Sequence, residues 1–127
     1  VALSFYKEID MTDTLADFFG AWANADAAAQ KDTITDAMAA DFVYSDPRSD
    51  GRLTTIDTLA SYVAQFTANA GGMMAGVIKT DTHNGYIRAI VGFGANGAWM
   101  QKGTYFATHD DAGKISLLSG FIGTGDV

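Results

Sequence analysis

The hydrophobic period of this chain changes once, at Gly71-Gly72, and that change limits the folds open to it. Ahead of the glycine pair the apolar residues keep helical spacing. In "TDTLADFFGAWANAD", Leu15, Phe18, Phe19 and Trp22 fall at i, i+3, i+4 and i+7, one stripe on a helix. Thr14 and Asp17 have the spacing of a capping box at its start. A second short helix is expected from Asp32 to about Ala40, with Ile34, Ala37 and Met38 inward, and a third from Thr55 to Asn69 with the stripe Leu59, Tyr62, Val63 and Phe66. Glycine cannot sustain a helix cheaply, so the pair at 71–72 stops the third.

Beyond it, "MMAGVIKTD", "YIRAIVGFG", "AWMQKGTYFAT" and "KISLLSGFIG" are rich in β-branched and aromatic residues. The turn sequences "HNG", "ANG" and "DDAG" separate them, which predicts a meander of four antiparallel strands. "DFVYSD" adds a shorter strand between the second and third helices. Helices first and a sheet later is the α+β pattern: three N-terminal helices packed on a curved, mostly antiparallel sheet. Gly76, Gly92, Gly94, Gly103, Gly120 and Gly123 lie inside the strand-like runs, where glycine marks bulges and bends. Such a sheet can curl around the long helix and enclose a pocket, or it can simply be pliable.

The totals exclude several functions. With 15 acidic and 8 scattered basic residues, the net charge of −7 argues against nucleic acid, which needs clustered Lys and Arg. The absence of cysteine removes thiolate chemistry and Cys-based zinc sites, and His83 and His109 read as turn residues and not as metal ligands, so no metal is expected. No uncharged apolar run approaches the roughly 18 residues of a membrane span, and "VALSFYKEID" lacks the features of a signal peptide, so a cytoplasmic location is expected. Residues 1–11 read as an N-terminal extension and 12–127 as one domain.

The chemistry concentrates in "DFVYSDPRSDG". Strand alternation puts Phe42, Tyr44 and Asp46 on one face. Pro47, the only proline, ends sheet pairing and leaves Asp46 at the strand's end. A carboxylate against an apolar wall is pushed toward the neutral form, the condition for useful proton transfer. Asp before Pro is equally an ordinary turn former, and the residues alone leave both readings open. On the third meander strand, alternation groups Trp99, Gln101, Gly103, Tyr105 and Ala107, so Tyr105 can offer a hydroxyl to a developing oxyanion and Gln101 can face the same pocket.

The order helix, helix, short strand ending in Asp-Pro, helix and long meander resembles the SnoaL-like polyketide cyclase and ketosteroid isomerase superfamily, the cone-shaped α+β roll also seen in nuclear transport factor two. "AADFVYSDPRSDG", "DTHNGYIRA", "GTYFATHDDAGKI" and the closing "GFIG" carry the likeness, over roughly residues 12–123. It implies Asp46 as general base, no cofactor, a small apolar organic ligand and a homodimer. The acid that ketosteroid isomerases place on the third meander strand is absent, with Tyr105 at that position. The tyrosine of their first helix is also absent, where Phe18, Phe19 and Trp22 stand.

Two functions therefore follow. One is a cofactor-free isomerase, cyclase or lyase with Asp46 and Tyr105 as its catalytic groups and Trp22, Phe18, Tyr44, Tyr62, Trp99 and Gln101 around the substrate. The other is a non-catalytic ligand-binding or dimerisation domain of the same fold.

Overall fold

A computed structural model describes residues 11–125; of the extension expected at residues 1–11, residues 1–10 lie outside them and Met11 opens the first helix. Helix α1 spans Met11–Gly20 and runs into a single 3₁₀ turn, Ala21–Ala23. Leu15, Phe18, Phe19 and Trp22 are all buried, so the stripe reaches from the helix into the turn. Thr14 stands inside α1 and does not cap it.

Helix α2 spans Ala27–Ala37, five residues earlier than its periodicity indicates. Its start is set by Asp26, whose carboxylate accepts from the backbone N–H of Ala28 and Ala29 at 3.1 and 3.2 Å. The helix therefore closes at Ala37, and Met38, Ala39 and Ala40 belong to strand β1, Met38–Ser45. Helix α3 spans Ile56–Asn69 with Thr55 as its N-cap. Its end is followed by Gly71 and Gly72 at φ +57° and +85°, a left-handed conformation that favours glycine.

The meander follows as β2 (Met74–His83), β3 (Tyr86–Ala95), β4 (Ala98–His109) and β5 (Ile115–Ile122). Two tight hairpins carry Asn-Gly pairs at positive φ, Asn84-Gly85 and Asn96-Gly97, which matches the twist of the flanking strands. The five strands form one sheet in the order β1-β5-β4-β3-β2. All pairs are antiparallel except β1 with β5, which is parallel, its long crossover running through α3 and β2–β4.

One face of the sheet, with Phe42, Tyr44, Ile87, Ala89, Val91, Tyr105, Ala107 and Leu118, joins Leu15, Phe18, Phe19, Ile34, Leu59 and Val63 from the helices in a single core. Register shifts interrupt β2/β3, β3/β4, β4/β5 and β1/β5, and such bulges bend the sheet around the helices. Two of the strand glycines have a packing reason. A Cβ on Gly120 would stand 2.4 Å from the Tyr105 ring, and one on Gly92 2.4 Å from the Trp99 ring. Each glycine is a seat for an aromatic ring lying across the neighbouring strand. No helix of the described residues is long and apolar enough to cross a membrane.

Candidate functional site

The end of β1 delivers Asp46 to the wall of a cavity of about 370 Å³ lying between the sheet, the 3₁₀ turn and α3. Trp22, Tyr62, Phe66, Phe93 and Tyr105 line it, with Arg48, Gln101 and Ile122 among the residues at its edge. The rings form a continuous wall. Trp22 packs against Phe66 at 5.0 Å and Phe93 at 5.8 Å between centroids, and Tyr62 stands edge-on to Trp22 at 6.1 Å.

Four donors converge on the Asp46 carboxylate. Oδ1 accepts from the backbone N–H of Arg48 and Ser49, both at 2.8 Å, which is the turn-forming pattern expected of Asp before Pro. The Tyr44 hydroxyl donates to Oδ2. The Tyr62 hydroxyl lies 2.8 Å from Oδ1 and 2.7 Å from Oδ2, so its single proton can serve either oxygen. The two readings left open by the sequence thus coincide in one residue: Asp46 makes the turn and also presents a carboxylate to an aromatic cavity.

The phenols are held neutral. Burial, followed by the influence of Tyr105 and Asp46, pushes Tyr44 well above the ordinary tyrosine value. Burial and then the hydrogen bond to Asp46 raise Tyr62. Burial raises Tyr105 too, opposed by its interaction with Tyr44 and by the positive charge of Arg48, while the charge of Asp46 adds to the rise. All three hydroxyls are therefore donors at neutral pH.

Trp22 is buried, and its indole N–H has no hydrogen-bond partner among the described residues. A buried unpaired donor costs about 1–3 kcal/mol, which suits a wall that awaits an acceptor. The turn carrying Trp22 is fixed from behind by Gln30, whose amide donates to the Ala21 carbonyl at 2.9 Å and to Thr67 at 2.7 Å.

Of the residues singled out in the sequence, Asp46, Tyr62, Tyr105, Trp22 and Gln101 line the one cavity. Tyr44 lies behind them, fully buried, and reaches the site only through its hydroxyl. Phe18 is fully buried in the core and does not line the cavity. Trp99 is on the wrong side of the sheet. Phe93 pairs with Gln101 but Gly94 pairs with Trp99, so Met100 is an extra residue that reverses the alternation. Trp99 consequently lies over Gly92 and Gly76 on the outer face, 40% exposed. Two further lining residues, Phe93 and Arg48, are not among those the sequence singles out. Phe93 shares strand parity with Ile87, Ala89 and Val91, a signal that would have found it. Arg88 pairs with Asp81 at 2.9 Å on the outer face.

No protein-family model matches the chain and no curated protein matches its sequence. Solved structures do match. A SnoaL-like family protein from Agrobacterium tumefaciens strain C58, provisionally named an isomerase, superposes with a TM-score of 0.77 at 17% identity, covering 90% of this chain and 97% of that one. An NTF2-like protein of unknown function from Cytophaga hutchinsonii gives 0.66 at 13% identity over 94% and 95% of the two chains. A de novo designed protein with a curved β-sheet gives 0.68 at 10% identity over 93% and 88%. The fold is that of SnoaL-like, NTF2-like and ketosteroid isomerase-like proteins. A designed chain reaches the same shape, so the likeness speaks for architecture, and the chemistry rests on the site.

Proposed function

We propose that the cavity binds a small, largely apolar carbonyl compound and that Asp46 is the general base of a cofactor-free isomerase, cyclase or lyase. The observation that supports this best is the Asp46 carboxylate, aimed at an aromatic cavity and held by Tyr44 and Tyr62. Similarity of fold to ketosteroid isomerase-like and SnoaL-like structures is consistent with it.

In this reading Asp46 takes a proton from the carbon beside the substrate carbonyl, and the electron pair moves onto the carbonyl oxygen. Tyr44 and the two turn amides hold the carboxylate in place while it does so. As Oδ2 gains the proton, Tyr62 keeps its bond to Oδ1 or turns its hydroxyl to the ligand. The indole N–H of Trp22 and the Tyr105 hydroxyl are the further donors for the developing oxyanion. Return of the proton to another carbon gives an isomer, attack on a second carbonyl closes a ring, and loss of a leaving group gives an elimination.

A non-catalytic binding domain is the alternative, and one experiment separates them. Deuterium exchange into the acetyl group of an aryl methyl ketone is followed by NMR, with the parent chain and with Asp46→Asn. A general base contributes about a hundred- to ten-thousand-fold, so the variant loses most of any acceleration. Equal acceleration by the two proteins removes Asp46 from the mechanism, and binding without acceleration favours the non-catalytic domain.

The homodimer belongs to the same proposal. The outer sheet face exposes Phe106, Leu117 and Phe121, and Asp81 on it is paired with Arg88. In a chain of net charge −7 this is a face on which a second copy meets apolar surface and not repulsion. Sedimentation equilibrium tests it: Phe121→Lys yields monomers if the face is the interface, and leaves the mass unchanged if it is not.

A further inference from the structure

Arg48 carries a feature that the proton-transfer chemistry does not use. It follows Asp46 by two residues, yet its guanidinium does not pair with that carboxylate; only its backbone N–H does. The side chain instead reaches across the cavity edge to β4, where Nη2 donates to the Gln101 Oε1 at 3.1 Å. The partner is 53 residues away in the chain and carries no charge. Among the described residues Arg48 forms no ion pair, although the chain has nearly twice as many acids as bases.

A neutral anchor has a specific physical consequence. A carboxylate partner would orient the guanidinium but cancel its charge. Gln101 orients it through one N–H and leaves the charge and most of its donors uncommitted. The positive field extends into the cavity, where it opposes the rise of both Tyr62 and Tyr105. Behind it the walls are aromatic: Trp22, Phe66 and Phe93. Asp46, two residues earlier, accepts from two tyrosines and two turn amides, and its carboxylate forms no ion pair with the guanidinium.

We infer that Arg48, positioned by Gln101, is an anion-recognition residue. The ligand class it selects is an apolar carbonyl compound bearing a carboxylate or similar oxyanion at the end that emerges from the cavity. This rests on the reading of the cavity as a carbonyl-compound site and adds the charge of the substrate. A guanidinium meets such a group with two parallel N–H bonds, a bidentate geometry that a lysine cannot match.

The test uses para-acetylbenzoate and its methyl ester, which share the acetyl group and differ in charge. Binding to the parent, Arg48→Gln and Asp46→Asn chains is measured by isothermal titration calorimetry, and acetyl proton exchange by NMR in deuterium oxide. Hydrogen bonds to charged groups predict a preference for the acid on the order of tenfold or more in the parent. Arg48→Gln abolishes that preference by weakening the acid alone, while Arg48→Lys keeps part of it. If Arg48→Gln weakens acid and ester equally, or the parent binds the ester as tightly as the acid, the inference is overturned even where exchange persists. If the preference holds but the parent accelerates no exchange, the Asp46 mechanism fails and the role of Arg48 stands.

Discussion

Replacing Gly120 by alanine places one methyl group where the fold has reserved room for a ring. Gly120 pairs with Tyr105 across β4 and β5, and its new Cβ would stand 2.4 Å from Cε2, 2.7 Å from Cζ and 2.9 Å from Cδ2 of that ring. Carbon atoms rest at about 3.5–4.0 Å, so the ring must retreat by about 1 Å. Phe19 stands edge-on to Tyr105 with centroids 4.9 Å apart and restricts that retreat. Over-packing of this kind costs about 1–3 kcal/mol. With a urea slope of about 1–3 kcal/mol per molar, the unfolding midpoint falls by roughly 1 M. The control is Gly20→Ala, where the backbone is helical (φ −59°, ψ −32°) and nothing lies within 4 Å of the added methyl. Alanine is the better helix former by about 0.5–1 kcal/mol, so the same chemical change raises the midpoint there. Paired urea titrations decide the matter. A Gly120→Ala chain that unfolds at the parent midpoint refutes the claim that this glycine seats Tyr105.

Three further outcomes are expected. Asp26→Ala removes the cap that starts α2 and costs about 1 kcal/mol, measured as a lower urea midpoint with the fold retained. Burial raises Tyr44, Tyr62 and Tyr105 above the ordinary value of 10.0, so the unfolded chain loses phenolic protons first. Stability is then complete below about pH 10 and is lost as the pH rises beyond it; a denaturation midpoint flat from neutral pH to well above that value would contradict the assignment. Burial holds the His109 imidazole below its ordinary value of 6.5, with Asp110 opposing the shift. The stability it contributes is present above that pH and is lost as pH falls through the folded-state value, and His109→Gln flattens the dependence below about pH 6.5.

The sequence made the architecture readable because its periodicities are local and consistent with the packing. Leu15, Phe18, Phe19 and Trp22 needed only their spacing, and the two Asn-Gly hairpins needed only their turn chemistry. The failures lie where a tertiary or capping effect overrides period. Asp26 starts α2 early because its side chain captures two backbone donors, which no hydrophobic pattern records. Trp99 changes face because Met100 inserts a residue into β4 without altering the alternation of the sequence. Asp46 was legible as a residue at a strand end, but the two tyrosines on it come from different elements, and Tyr62 approaches from α3 only after folding. Arg48 was hidden for the same reason: its partner Gln101 is supplied by β4.

The position of a bound aryl methyl ketone tests the central claim most directly. A crystal structure of the parent chain soaked with para-acetylbenzoate should place the acetyl group among Trp22, Tyr62 and Phe93, its methyl carbon about 3–3.5 Å from an Asp46 carboxylate oxygen. Ligand density on the outer face beside Trp99, or a cavity filled by its own aromatic side chains, would contradict the account.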